Sequence, residues 1–191
     1  FHMKDLKPIN EPRQGRFLVA EPTLLDQSFN RTVVLLTEHN SEGSVGFVLN
    51  KPMDLKLHEL VPDLPSGNFP IFFGGPVQND RIFYIHSMGD QLPGSVSVAD
   101  NIFWGGDFEM LKMMIRKGEV EPDRIRFFMG YSGWGSTQLI EELDEKSWVV
   151  LEKGTLDPLN DAPETLWKKI LLNLGNEYKI WANAPKDPML N

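Results

Sequence analysis

The 191-residue chain contains no cysteine. Disulfides, thiolate nucleophiles and zinc sites built on cysteine are thereby excluded. A cysteine-free chain suits a reducing compartment, and a cytoplasmic protein is the expectation. No apolar run approaches the length of a membrane span, so no contact with a membrane is expected. The start of the chain also lacks the basic-then-apolar pattern of a secretory leader. Phe1-His2 ahead of Met3 reads as a cloning remnant, which removes His2 from the candidate ligands. Residues 1–14 are read as that remnant plus an extended arm carrying Pro8 and Pro12. Residues 15–191 are read as a single domain.

Positive charge is also scarce. There are 27 acidic residues against 19 basic ones, a net charge of −8. A protein that grips duplex DNA carries a basic footprint. Lys168-Lys169 and Arg124/Arg126 are too sparse to make one, so direct nucleic-acid binding is not expected. Neither G-x-x-x-x-G-K-S/T nor G-x-G-x-x-G occurs, which leaves a nucleotide site without a motif. His39, His58 and His86 show no H-x-x-x-H spacing. No cofactor and no metal are expected.

What the chain does have is a series of short apolar and β-branched runs. Arg16–Ala20, Thr32–Thr37, Val45–Leu49, Ile71–Phe73, Ile82–Ile85, Ser95–Ala99, Ile125–Met129 and Trp148–Leu151 read as strands. The polar cluster His39–Ser44 predicts an antiparallel hairpin between the second and third. Gly74-Gly75-Pro76-Val77 predicts another, joining Ile71–Phe73 to Ile82–Ile85. Runs that are apolar at nearly every position, such as Val33–Leu36, predict a sheet covered on both faces.

Three helices have readable ends. Asp107 caps the first, where Phe108, Leu111, Met114 and Ile115 share a face and Gly118 closes it. Ser136 is the expected cap of the second, with Leu139, Ile140 and Leu143 inward and Glu141, Glu142 and Glu145 toward solvent. Asp161 and Glu164 have capping-box spacing ahead of Leu166, Trp167, Ile170, Leu171 and Leu174. A short turn runs from Leu57 to Val61. The fold class is α+β (mixed α/β): one domain, an antiparallel-rich curved sheet with helices packed on it.

The densest motif is Gly130-Tyr131-Ser132-Gly133-Trp134-Gly135, leading into Gln138. Three glycines among two large rings predict a tight strand-to-helix corner. With Ser136 as cap, free amides of the first turn would favour an anion beside Gly133, Trp134 and Gly135. Packing of Trp134 into the core explains the same residues. Ser132 nearly fits a nucleophile elbow, but Trp134 stands where G-x-S-x-G needs its last glycine. His39 or His86 could serve as base, and Asp80 or Asp90 as orienting acid, in a hydrolase reading. Both histidines sit at expected strand ends, where satisfying turn backbone is the plainer role. Gly74 and Gly75 before Pro76 can form a concave run of amides. Arg31 is expected to pair with Asp26 or Glu38, or to meet an anionic ligand.

Taken together, these segments resemble a known family. They are Gly15–Ala20, Phe29–Leu36 with Glu38-His39, Gly46–Pro52, Gly74–Val77, Gly130–Gly135 with Gln138-Leu139, and Asp187–Asn191. In that order they are similar to the YqgE/AlgH family of small bacterial proteins, from about Gly15 to the end. The resemblance implies a compact mixed α/β fold and no agreed catalytic residues. Some members carry the label of putative transcriptional regulator, linked by name to alginate production. Alanine often stands at the position of Ser132 in that family, which argues against a nucleophile there.

The leading reading is a cytosolic, non-enzymatic binding or regulatory protein. Its ligand would be an anionic small molecule or a partner protein. The candidate residues are Arg31, His39, Gly74, Gly75, His86, Ser132, Gly133, Trp134, Gly135 and Gln138. The rivals are a hydrolase using Ser132 or a histidine of the same cleft, and a DNA-binding regulator. Oligomeric state and pathway are not readable from the chain.

Overall fold

A computed structural model describes residues 6–184. The readings of residues 1–5 and of the Asp187–Asn191 ending lie outside that range. All eight expected strands form, joined by two more: β1 (Phe17–Ala20), β2 (Val33–Asn40), β3 (Gly43–Val48), β4 (Pro52–Lys56), β5 (Pro70–Phe73), β6 (Val77–His86), β7 (Val96–Ala99), β8 (Ile102–Trp104), β9 (Ile125–Gly135) and β10 (Trp148–Leu151). The helices are α1 (Leu57–Leu60), α2 (Phe108–Arg116), α3 (Gln138–Asp144), α4 (Pro163–Leu172) and α5 (Asn176–Ala182). Strands β4 and β8 and helix α5 were not legible from the pattern. They are short, polar or partly exposed, and their place comes from pairing rather than from periodicity.

The ten strands form one sheet in the order β10-β1-β2-β3-β9-β6-β8-β7, with β4 and β5 branching from β9. Every pairing is antiparallel except β5 with β9. The β2–β3 hairpin is present as expected, its turn falling between Asn40 and Gly43. The second expected hairpin is not. β5 and β6 do not pair, because β9 lies between them, parallel to β5 through Ile71↔Phe127 and antiparallel to β6 through Tyr84↔Phe127. Gly74 and Gly75 therefore serve a crossing, not a turn between neighbours.

That crossing is built on missing side chains. A Cβ on Gly74 would overlap the Gly130 carbonyl oxygen and come within 2.9 Å of Phe128 Cβ. Gly75, at φ +156, would put one into the backbone of Tyr131. The close approach lets Gly74 N–H donate to Met129 O (2.8 Å) while Gly74 O accepts from Val48 N–H (2.9 Å). The concave run of amides expected here is thus already used at Gly74.

Alternation along β1 and β2 covers both faces of the sheet, as the apolar runs required. Phe17, Val19, Val33 and Leu35 enter the main core beneath α4, whereas Leu18, Ala20, Val34 and Leu36 pack on the other side with Trp134, Leu139 and Trp148. A third cluster holds α1 and α2 against β5, β6 and β9 through Leu57, Ile71, Leu111, Ile115 and Phe127. The sheet curls, so that Val98 of β7 at one end shares a core with Phe17 and Val149 at the other. Trp167 of α4 donates its indole N–H to Ala20 O at 2.9 Å, pinning the helix across β1.

Two helix ends differ from expectation. Asp107 caps α2 by accepting from Met110 N–H, as the sequence indicated. Thr137, however, takes the cap position of α3 in place of Ser136, without a side-chain bond. α4 starts at Ala162 and Pro163, because the Asp161 carboxylate is occupied by Asp157 N–H (2.8 Å). On α3, Ile140 faces outward rather than inward. Proline at the first helical position needs no amide partner, which makes the lost capping box inexpensive.

The crossing gives a direct test. Gly74→Ala is expected to destabilise the fold by about 2 kcal/mol or more, because backbone rather than a side chain must move. Gly135→Ala, where an added Cβ meets nothing within 4 Å, is expected to stay within about 1 kcal/mol of the parent. Urea unfolding midpoints compare the two; equal midpoints would contradict this account of the crossing.

Candidate functional site

Strand β9 runs on to Gly135, so Gly130–Gly135 is a strand end rather than a strand-to-helix corner, and the bend that glycine permits falls at Gly130 (φ +73), where the β6–β9 register shifts. Residues of a strand alternate between faces. Tyr131, Gly133 and Gly135 therefore share one face, and Ser132 and Trp134 the other. The inward face is committed to structure. Ser132 is fully buried and donates its hydroxyl proton to Gly74 O at 3.0 Å. Trp134 stacks on Phe29 and meets Trp148 edge-on.

Glu142 explains the rest of the motif. Its Oε1 accepts from the indole N–H of Trp134 (3.1 Å) and of Trp148 (2.9 Å), and its Oε2 from Gln138 Nε2 (3.0 Å). The helical periodicity places Glu142 toward solvent, and the two indoles draw it inward. Gln138 Oε1 in turn accepts from Gly135 N–H at 3.1 Å. The amide at the end of β9 is thus satisfied by Gln138. Because α3 begins at Gln138, its first turn also contains Glu141, whose charge opposes an anion.

The histidines are equally engaged, and apart. His39 Nδ1 lies 2.6 Å from Ser44 Oγ, and loss of hydration depresses its pKa. His86 is fully buried in β6. Its Nδ1 accepts from Met88 N–H (3.2 Å), which leaves Nε2 to carry the proton toward Gly105 O (2.9 Å) and Ser95 Oγ (3.0 Å). Burial holds its pKa down, opposed by the bond to Gly105, with Arg124 adding to the depression. His86 pairs with Ile125, seven positions along β9 from Ser132, a separation of roughly 20 Å at strand rise. A hydrolase pair of Ser132 with His86 is therefore not assembled. Arg31 does not pair with Asp26 or Glu38. Its guanidinium lies 5.0 Å over the Trp167 ring and donates to Ala184 O at 3.1 Å.

What the outward face does form is a trough of about 320 Å³ across β2, β3 and β9. Gly43 and Gly133 line it together with Tyr131 and Val77, and Glu38, Asn40 and Glu42 border it. A Cβ on Gly133 would stand 3.4 Å from Tyr131 Cε2 and 3.8 Å from Val77 Cγ2, so the missing side chain is the space itself. Asn40 orders the rim: its Nδ2 donates to Glu38 Oε1 (3.0 Å) and its Oδ1 accepts from Glu42 N–H (2.8 Å). Among the described residues, no lysine or arginine lines the trough. Of the expected site residues it gathers only Gly133 and Trp134, with His39 next door through Ser44. Gly74, Gly75, Ser132 and His86 belong to the interior. Period-2 reading of Tyr131, Gly133 and Gly135 as a strand face would have found the trough in the sequence.

Comparison with known proteins supports the overall likeness. A family model described as AlgH-like matches residues 17–179. A UPF0301 protein of Chlorobium limicola is 43% identical over 179 residues, covering 94% of this chain and 96% of its own. One of Cytophaga hutchinsonii is 41% identical, covering 93% and 98%. Among solved structures, the AlgH protein of Pseudomonas aeruginosa superposes with a TM-score of 0.70 at 31% identity, over 90% of this chain and 94% of that one. A protein of Corynebacterium diphtheriae shares the fold with a TM-score of 0.67 at 20% identity, over 93% and 95%. None of these names states a reaction or a ligand.

The His86 assignment has a spectroscopic consequence. Long-range nitrogen–proton NMR at neutral pH should show a neutral imidazole with the proton on Nε2, titrating below the ordinary value of about 6.5. A depressed folded pKa means that the unfolded chain protonates first. The stability this group confers is complete above about 6.5 and is lost as pH falls through the folded value, and the depressed His39 acts in the same window. A charged or Nδ1-protonated His86 at pH 7 would refute the arrangement.

Proposed function

The chain belongs to the AlgH-like family, and we propose that it is a non-enzymatic binding protein that docks a basic segment of a partner protein in the β2–β3–β9 trough. The observation that carries this reading is the trough's make-up: a side-chain-free floor at Gly133, a Tyr131 wall, and Glu38 and Glu42 at the rim, with no basic residue lining it among the described residues. A lysine or arginine stem can lie on the glycine and aromatic surface while its charge meets the carboxylates. The same carboxylates repel an anionic small molecule, so a partner protein is the better match of the two ligand classes. Any part in gene regulation would run through the partner, since a net charge of −8 disfavours direct contact with DNA. The cytoplasm is the compartment this reading assumes, on the strength of the cysteine-free composition. No helix of the described residues is long and apolar enough to cross a membrane.

The test uses the intact chain and a short synthetic peptide alternating arginine and alanine. Calorimetric titration at low salt should give saturable binding that weakens as ionic strength rises. Gly133→Val adds a side chain at ordinary contact distance in extended backbone, so the fold should hold while affinity falls by about tenfold or more. Glu42→Lys should weaken binding to a similar degree. Unaltered affinity in both variants, with circular dichroism unchanged, would sink the proposal.

A further inference from the structure

A second hollow, of about 400 Å³, lies where the curled sheet nearly meets itself. Phe17 of β1, Leu35 of β2 and Leu156 form its floor, all three members of the main core. Ile102, partly buried, lines it from β8. Its lining is mixed, with side chains of the apolar core at the base and polar groups at the mouth, and a few polar groups placed around an apolar base are what fix a small molecule's orientation. Its rim is polar: Asp100 and Asn101 on the β7–β8 turn, Asp123 ahead of β9, and Asp157 and Asn160 on the loop before α4, with Lys153 opposing them.

The walls are held in place before any ligand arrives. Arg126 is the lone charge in the apolar run of β9, and it is buried. Its guanidinium donates to Leu49 O and Leu159 O (both 3.1 Å) and rests 4.3 Å over the Phe72 ring, tying the 157–161 loop to the sheet. Asp157 Oδ1 accepts from Leu159 N–H (3.0 Å) and Asn160 N–H (3.2 Å), fixing the loop's curve. Asn160 Nδ2 then reaches Asp123 O at 3.2 Å, joining the loop to the opposite lip. On the other side Asn101 is held in a left-handed conformation at φ +59. Preorganisation of this kind lowers the ordering cost of binding.

The charge of the rim decides the ligand class. Three carboxylates face one ammonium, and neither Asp100 nor Asp123 is in an ion pair among the described residues. The carboxylates are too dispersed for a metal: no group of three or more His, Asp or Glu among the described residues could hold one. An organic cation with an apolar body satisfies both the floor and the rim. We propose that this seam cavity is a binding site for a small amine- or amidine-bearing molecule whose apolar part enters toward Phe17, Leu35 and Leu156 and whose charge meets Asp100 and Asp123. The site is separate from the β2–β3–β9 trough and does not depend on it.

The experiment is a nitrogen-15 NMR titration of the full chain with phenethylamine, 2-phenylethanol and phenylacetate, three probes of one shape and different charge. Phenethylamine should give saturable shifts at the amides of Asn101, Gly154 and Asn160 with millimolar affinity, as expected for so small a probe. 2-Phenylethanol should bind about 2–5-fold more weakly, the worth of exposed charge pairs, and phenylacetate more weakly still. Asp100→Lys with Asp123→Lys, both at exposed positions, should invert the order so that phenylacetate binds above phenethylamine. A merely structural role for these carboxylates would not produce that inversion. Gly133→Val should leave all three titrations unchanged. Shifts that do not saturate, that map away from the seam, or that keep the same order in the double variant would overturn the assignment.

Discussion

The architecture depends on the close passage of Gly74 and Gly75 over Gly130. Strand β9 must pair with β3, β5 and β6 along its length, and two of those partners are consecutive in the chain. Consecutive strands ordinarily pair with each other. Here the link between them crosses β9, and that crossing is possible only where neither backbone carries a side chain. β9 is thereby secured in the middle of the sheet, and the register of the neighbouring strands follows. The hydrogen bonds of Gly74 to Met129 and Val48, and of Ser132 to Gly74, close the junction.

From that junction comes the division between interior and surface. The buried groups that would suggest chemistry (a serine next to glycines, the histidine of β6, an arginine) are consumed in satisfying backbone. Ser132 serves Gly74, His86 serves Met88 and Gly105, and Arg126 serves Leu49 and Leu159. Burying such groups without partners would cost far more than their bonds return, and none of the buried side-chain polar atoms of the described residues lacks a partner. What stays open is surface where side chains are small or carboxylates stand outside ion pairs. The trough over Gly133 and the hollow at the seam are those surfaces, and both are rimmed by negative charge.

Sequence reading was strongest where one segment decides its own state. Apolar runs such as Val33–Leu36 and Trp148–Leu151 became strands covered on both faces, and Asp107 capped its helix, because these outcomes depend on neighbours a few residues away. It was weakest where a partner distant in sequence competes. Asp161 had the spacing of a cap, but Asp157 reached it first. Glu142 looked solvent-facing on a helical wheel, yet two indoles from separate strands converge on it. Gly74-Gly75-Pro76 looked like a turn because glycine and proline mark both turns and crossings.

The candidate site followed the same split. Which residues are unusual was legible: the glycine–aromatic run, the paired glycines and the isolated charges all occupy special positions. Their side-chain directions were not, since a one-residue slip in a strand's pairing register exchanges its faces. The chain alone determined the family, through the resemblance of motifs in a fixed order, and the α+β class, the two-sided sheet and the acidic charge, which are sums over local composition. Only the folded structure decided that β9 separates β5 from β6, that Ser132 and His86 turn inward, and that Gly133 and the seam remain open. Each of those outcomes is a contact between segments tens of residues apart, and periodicity carries no information about which distant segment arrives.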